Sequence, residues 1–164
     1  MKIGVIADTH IPVSAKEIPG KVYEYFKECD LIIHAGDIVD MAVIKELSTL
    51  SEVKAVHGNM DSFEVKQRLP EKMILAAAGK KIGVVHGKGP SFNILRMVGK
   101  AFSRKPDVII FGHSHIACNE EKNGTLFFNP GSPTDRVFAK YRSFGIIDID
   151  DDEIHAEIIR CDEE

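Results

Sequence analysis

Residues 2–10 read KIGVIADTH. The run 2–7 is apolar almost throughout, without alternation, as a strand covered on both faces must be. It breaks off into an acid and an imidazole, Asp8 and His10. The same grammar returns four times along the chain. LIIHA (31–35) leads into Gly36-Asp37. VKAVH (53–57) leads into Gly58-Asn59-Met60-Asp61. KIGVVH (81–86) ends on His86-Gly87, and DVIIFG (107–112) is followed by His113-Ser114-His115. Ligands of open parallel sheets bind outside the carboxyl ends of the strands. If these five strands are neighbours, Asp8, His10, Asp37, Asn59, His86, His113 and His115 converge in one cleft.

Working outward, the segments between these runs carry helical or turn signals. Residues 14–28 are expected to form a helix, with Ser14 as N-cap and Val22, Tyr25 and Phe26 on one face. Residues 40–50 form a second, capped by Asp40, with Val43, Ile44 and Leu47 apolar. Residues 62–72, which include Pro70, read as a connecting loop, and 90–104 as a helix capped by Ser91. Two hairpins are expected: 73–78 with 81–86 across Gly79-Lys80, and IACNEE with TLFFN across Lys122-Asn123-Gly124. Residues 144–149 and 153–160 read as strands around an acidic turn. The first part is therefore βαβαβ, with parallel strands and right-handed crossovers. Together with the hairpin-rich second part it predicts an α/β fold of two stacked sheets with helices outside. At 164 residues the chain is expected to be a single domain, 1–164.

Composition narrows the function. Apolar residues make up 44% and charged residues 28%, which excludes a disordered chain, and no run approaches a membrane span. The net charge is -4, with an isoelectric point near 6.0, against the basic excess of a nucleic-acid binder. The basic cluster Arg96, Lys100, Arg104 and Lys105 reads as a solvated helix face, so no dedicated nucleic-acid surface and no membrane attachment are expected. The opening MKIGVIADTH is too short and too acidic for a secretory leader. Cys29, Cys118 and Cys161 are odd in number and far apart, which indicates neither disulfides nor a zinc knuckle. A soluble, cytoplasmic protein is expected.

The seven donors are chemically coherent: two carboxylates, four imidazoles and an amide, with no thiolate. Such a set suits manganese, iron, zinc, nickel or magnesium. It is too large for one catalytic ion with an open position, and divides over two ions if one carboxylate bridges them, roughly 3.5–4 Å apart. Taken singly the motifs are ordinary; Gly36-Asp37 and Gly58-Asn59 are common turn dipeptides. Their conjunction at five strand ends carries the reading.

The order D-x-H, G-D, G-N-x-D, H-G, G-H-x-H resembles the calcineurin-like metallophosphoesterase superfamily, and within it the small bacterial and archaeal phosphodiesterases. The likeness runs from Lys2 to about Ser132 and takes in Asn129-Pro130-Gly131-Ser132. The resemblance implies a four-layer α/β/β/α sandwich. It also implies a first metal held by Asp8, His10 and His115, a second by Asn59, His86 and His113, and a bridge through Asp37. Two divalent cations per chain, manganese foremost, are expected. Many relatives carry a histidine, proposed to protonate the leaving group, where this chain has Met60, and a thioether cannot donate a proton. That favours diesters. Asp61 is expected to assist catalysis by orienting a ligand or holding a histidine tautomer.

Of the remaining candidates, His34 should point away from Asp37 by strand alternation, and His57 is read as structural and His155 as solvated. Arg136 and Lys140 could pair with phosphate but read more simply as surface charges. The expected chemistry is metal-assisted hydrolysis of a small phosphodiester or nucleotide by a hydroxide held between the ions. Two other readings stay open. One is a non-catalytic metal-binding interaction module, as in the retromer subunit of this fold; the other is a nuclease or nucleotide phosphatase. Whether the chain forms a homo-oligomer is left open.

Overall fold

The strand at the N-terminus, β1 (Lys2–Ile6), lies in the middle of a sheet. The computed structural model describes residues 1–150 and 153–162. Beside β1, in parallel, run β2 (Leu31–His34) and then β3 (Glu52–Ala55), linked by helices α1 (Gly20–Phe26) and α2 (Met41–Leu47). After α3 (Phe63–Arg68) the chain builds a second sheet from β4 (Lys72–Ala77), β5 (Lys80–Val85), β6 (Val108–Ile110), β7 (Cys118–Lys122) and β8 (Thr125–Asn129). A 3-10 turn at Ser91–Asn93 and helix α4 (Ile94–Gly99) stand between β5 and β6. The chain then returns to the first sheet with β9 (Ser143–Asp150) and β10 (Glu153–Arg160). The strand orders are β10-β9-β1-β2-β3 and β4-β5-β6-β8-β7, both mixed.

Three apolar clusters define the layers. Ile3, Val5, Ile33, Val84, Ile110 and Phe128 meet between the two sheets. Val22, Phe26, Val43, Leu47 and Val65 pack the first three helices onto the outer face of the first sheet. Ile94, Val98 and Phe102 do the same for the second sheet, against Ile109, Phe111 and Phe127. This is the expected four-layer α/β/β/α sandwich. Each fully buried Ile, Leu or Phe side chain contributes about 1.5–3 kcal/mol by leaving water.

The local expectations divide. Asp40 caps α2 as expected, its carboxylate accepting the Ala42 N–H at 2.8 Å. Helix α1 begins at Gly20, six residues later than expected, because Pro19 would cost an interior helix a hydrogen bond and clash with the preceding turn. Ser14 therefore caps nothing. The segment expected to be a loop at 62–72 holds α3, capped by Ser62 and closed by an ion pair between Arg68 and Glu64. Pro70 marks the end of this helix rather than its absence. The first hairpin turns at Ala78-Gly79, both with positive φ, so Lys80 belongs to β5. Helix α4 is shorter than 90–104, and Ser91 makes no side-chain cap, Pro90 standing at that place. The acidic turn before β10 falls on Asp151 and Asp152, outside the described residues.

Candidate metal centre

The carboxyl ends of β1, β2 and β3 in one sheet and of β5 and β6 in the other open at the same edge of the sandwich. Backbone bonds stitch them together: Asp8 N–H to Gly36 O, and Gly112 N–H to His86 O, each at 3.0 Å. The Asp8 carboxylate crosses between the sheets to accept the His113 N–H at 2.9 Å. Five of the candidate donors, Asp8, His10, Asp37, His113 and His115, sit in the left-handed region with φ between 45° and 70°. Side chains avoid that region, and surroundings that enforce it cluster at functional sites. After β1, β2 and β6 the chain thus ends the strand in tight reversals that carry these donors.

The approach of these reversals is close enough to exclude side chains at neighbouring glycines. A Cβ on Gly58 would press onto the Asp37 carboxylate, and one on Gly112 would lie 2.8 Å from Asp8 Oδ2.

Hydrogen-bond partners fix which ring nitrogens face inward. His86 Nδ1–H donates to Ala35 O at 2.8 Å, leaving Nε2 with its lone pair. That atom is buried, has no hydrogen-bond partner among the described residues, and lies 3.2 Å from Asp37 Oδ2 and 3.9 Å from Asp8 Oδ1. His115 Nδ1–H donates to Asp135 Oδ2, and its Nε2 lies 3.6 Å from Asp8 Oδ1 and 3.2 Å from His10 Nε2. His10 Nε2 is 3.5 Å from Asp37 Oδ2. His113 Nε2–H donates to Gly89 O at 3.0 Å, so its Nδ1 lone pair faces Asn59 Oδ1, another acceptor, 3.2 Å away.

Lone pairs facing one another across such gaps suit a cation between them. Ligands at 2.0–2.2 Å from one ion lie roughly 2.8–3.6 Å apart, close to the spacings seen. Among the described residues two groups offer themselves: Asp8, His10 and His115, and Asp8, Asp37 and His86. Asn59 and His113 adjoin the second, and Asp37 Oδ2 stands between His10 and His86.

The titration of these groups tells the same story. Burial, only partly offset by His86 and His115, pushes Asp8 up to about 7. Burial opposes the charged form of His86, but the carboxylates of Asp37 and Asp8 close beside it outweigh that and raise the imidazole to about 9. Burial lowers His10 and His113. Asp8 and His86 thus hold their protons more tightly than free side chains do.

Asp61 lies outside this ring of donors. Its buried carboxylate accepts four backbone N–H groups, from Asp37, Ile38, Val39 and Gly58, at 2.6–3.0 Å. It holds the main chain at Asp37 and has no hydrogen bond to a histidine among the described residues. Sequence reasoning missed Asp135, which besides His115 accepts the N–H groups of Val137, Phe138 and Ala139. The nearby Asn-Pro-Gly-Ser run was its one signal. Ser132 and Thr134 hydroxyls from that segment donate to Asp8 O and Thr9 O and pin the first loop.

The other candidates stay out. His34 is fully buried, bonded to Thr9 Oγ1 and Gly36 N–H, and burial lowers it to about 3. The half-buried ring of His57 approaches Gly58 O at 3.4 Å while its backbone N–H donates to Pro70 O, and His155 is exposed beside Glu153. Arg136 and Lys140 are exposed, and the charge of Arg136 is felt at Asp162. The three cysteines are free, their thiols pushed up to about 11 by burial. Among the described residues no helix is long and apolar enough to cross a membrane.

Known proteins resemble this chain. The signature of the calcineurin-like phosphoesterase superfamily domain matches residues 1–152. A probable metallophosphoesterase of Methanocaldococcus jannaschii is 42% identical over 139 residues, covering 82% of this chain and 69% of that one. A protein of the same archaeon named as a phosphodiesterase is 31% identical over 147 residues, covering 80% of this chain and 83% of its own. Among solved structures, Entamoeba histolytica Vps29 complexed with zinc superposes with a TM-score of 0.75 at 25% identity, over 99% of this chain and 100% of that one.

Proposed function

The chain belongs to the calcineurin-like phosphoesterase superfamily, and from that premise we propose that it is a phosphodiesterase working with two divalent cations, manganese foremost. Asp8, His10 and His115 hold one ion, Asn59, His86 and His113 the other, and Asp37 is shared. A pair bound there supplies Lewis acidity toward phosphoryl oxygens and a water acidic enough to attack near neutral pH.

The chain's own groups do the rest. The Ala35 carbonyl keeps the His86 proton on Nδ1, and Asp135 does the same for His115, so both Nε2 lone pairs face the cleft. Asp61 fixes the main chain on which Asp37 rides. Met60, 61% exposed at the mouth, offers no proton to a leaving group, which favours diesters whose leaving oxygen is stable. The proposal takes 1–164 as one domain in a reducing cytoplasm.

The observation that carries the reading is the buried, unpartnered Nε2 of His86 facing two carboxylates. The relative named as a phosphodiesterase supports the substrate class. The test is hydrolysis of bis(p-nitrophenyl) phosphate with manganese: turnover that chelation stops and added manganese restores.

One observation favours a second reading, a metal-binding interaction module. The cleft mouth is ringed by exposed apolar side chains, with Val13, Val137 and Phe138 each 77–81% exposed. No turnover with manganese, nickel, iron, zinc or magnesium would select that reading.

A further inference from the structure

On the far side of Asn59 and His86 lies a second cleft, about 540 Å³ in volume, within the range of small-ligand sites. Its lining is unusual for a chain of net charge -4: it gathers Lys66, Lys72, Lys88 and Lys100 against a single carboxylate, Glu71. The lysines come from four separate places: α3, the start of β4, the loop after β5 and the end of α4. No carboxylate pairs with any of them among the described residues. Lys66 and Lys72 spend their ammonium groups on main-chain carbonyls, Asn59 O at 2.8 Å and Ala101 O at 2.6 Å. Lys88 and Lys100 have neither a hydrogen bond nor an ion pair from their ammonium groups among the described residues. Met97 and Val98 give the same cleft an apolar wall.

Resting on the diesterase reading, we infer that this cleft binds a second phosphate carried by the same substrate molecule, with Lys88 and Lys100 as its principal anion-binding groups. The cleft is continuous with the candidate metal centre, since Asn59 and His86 line it. A diester seated on those donors therefore projects one of its substituents toward the lysines. Four ammonium groups against one carboxylate leave three positive charges, which suits a dianionic phosphate. The apolar wall accepts the sugar or base between the two phosphates. The substrate class so defined is a phosphodiester that already bears a terminal phosphate, such as a 5′-phosphorylated dinucleotide, in preference to a diester with neutral arms.

The test is calorimetric titration of the full chain with manganese, using phosphorothioate-linked diadenosine probes that resist hydrolysis, with and without a 5′-phosphate. The phosphorylated probe is expected to bind about tenfold tighter, the size of one charge-assisted hydrogen bond. The K88Q/K100Q double variant should lose that ratio while unfolding at the wild-type temperature. Equal affinities in the wild type, or a ratio that survives in the double variant, would overturn the inference. These titrations need no turnover, so failure of the bis(p-nitrophenyl) phosphate assay bears on the proposed activity alone.

Discussion

The imidazole of His115 and the carboxylate of Asp135 are joined through Nδ1 and Oδ2, across twenty residues of chain that include the whole β7–β8 hairpin. Asp135 is itself held by three backbone N–H groups, and the His115 proton lowers its pKa against the effect of burial. A carboxylate so anchored sets the tautomer and the ring angle of a metal-binding histidine.

Replacing Asp135 by Ala should therefore weaken metal binding by about 10–100-fold without removing any donor. Competition against a chelator of known affinity measures this. Unchanged affinity would mean that His115 is oriented by other contacts.

Much of the site was legible because each donor stands one to five residues past the end of an apolar run, and sequence shows both. Asp40 was legible for the same reason, its cap being local. Asp135 was not, because its partner is fixed by the return of a distant loop. Nor were the four N–H bonds of Asp61, which depend on how two loops meet. The late start of α1 was readable in Pro19. Helix α3 was missed because a six-residue helix shows too few turns to display its period.

Asp61→Asn should destabilise the fold by about 1–3 kcal/mol, because an amide presents one acceptor oxygen where two now serve four N–H donors. Val39, held at φ 78°, is the most strained of the groups released. Denaturant unfolding reads the loss; a change within experimental error would remove Asp61 from the account.

Gly58→Ala should be as costly, about 1–3 kcal/mol, since the added methyl meets both the Asp37 carboxylate and its main-chain nitrogen. The variant should also retain less manganese after dialysis, because relief of the clash must move Asp37. Wild-type stability and metal content together would contradict the placement of that loop.

The stability of the metal-free protein should fall as pH rises from 6.5 toward 9. His86 is raised from 6.5 to about 9 and Asp8 from 3.8 to about 7, so the folded state binds both protons more tightly than the unfolded chain. Stability from such groups is complete below the unfolded pKa and is lost as pH climbs through the folded one. The histidines His10, His34 and His113 are shifted down and act in the opposite sense, but only below 6.5. Melting temperatures across this range, with chelator and with saturating manganese, check the sign. The fall should appear with chelator and flatten with manganese, which displaces the same protons.

The proposed metal centre requires Asp8, His10, Asp37, Asn59, His86, His113 and His115 to grip two cations at once. Anomalous diffraction from a crystal grown with manganese tests this directly. Two peaks are predicted, about 3.5–4 Å apart with Asp37 between them. A single peak, or density away from these side chains, would contradict it.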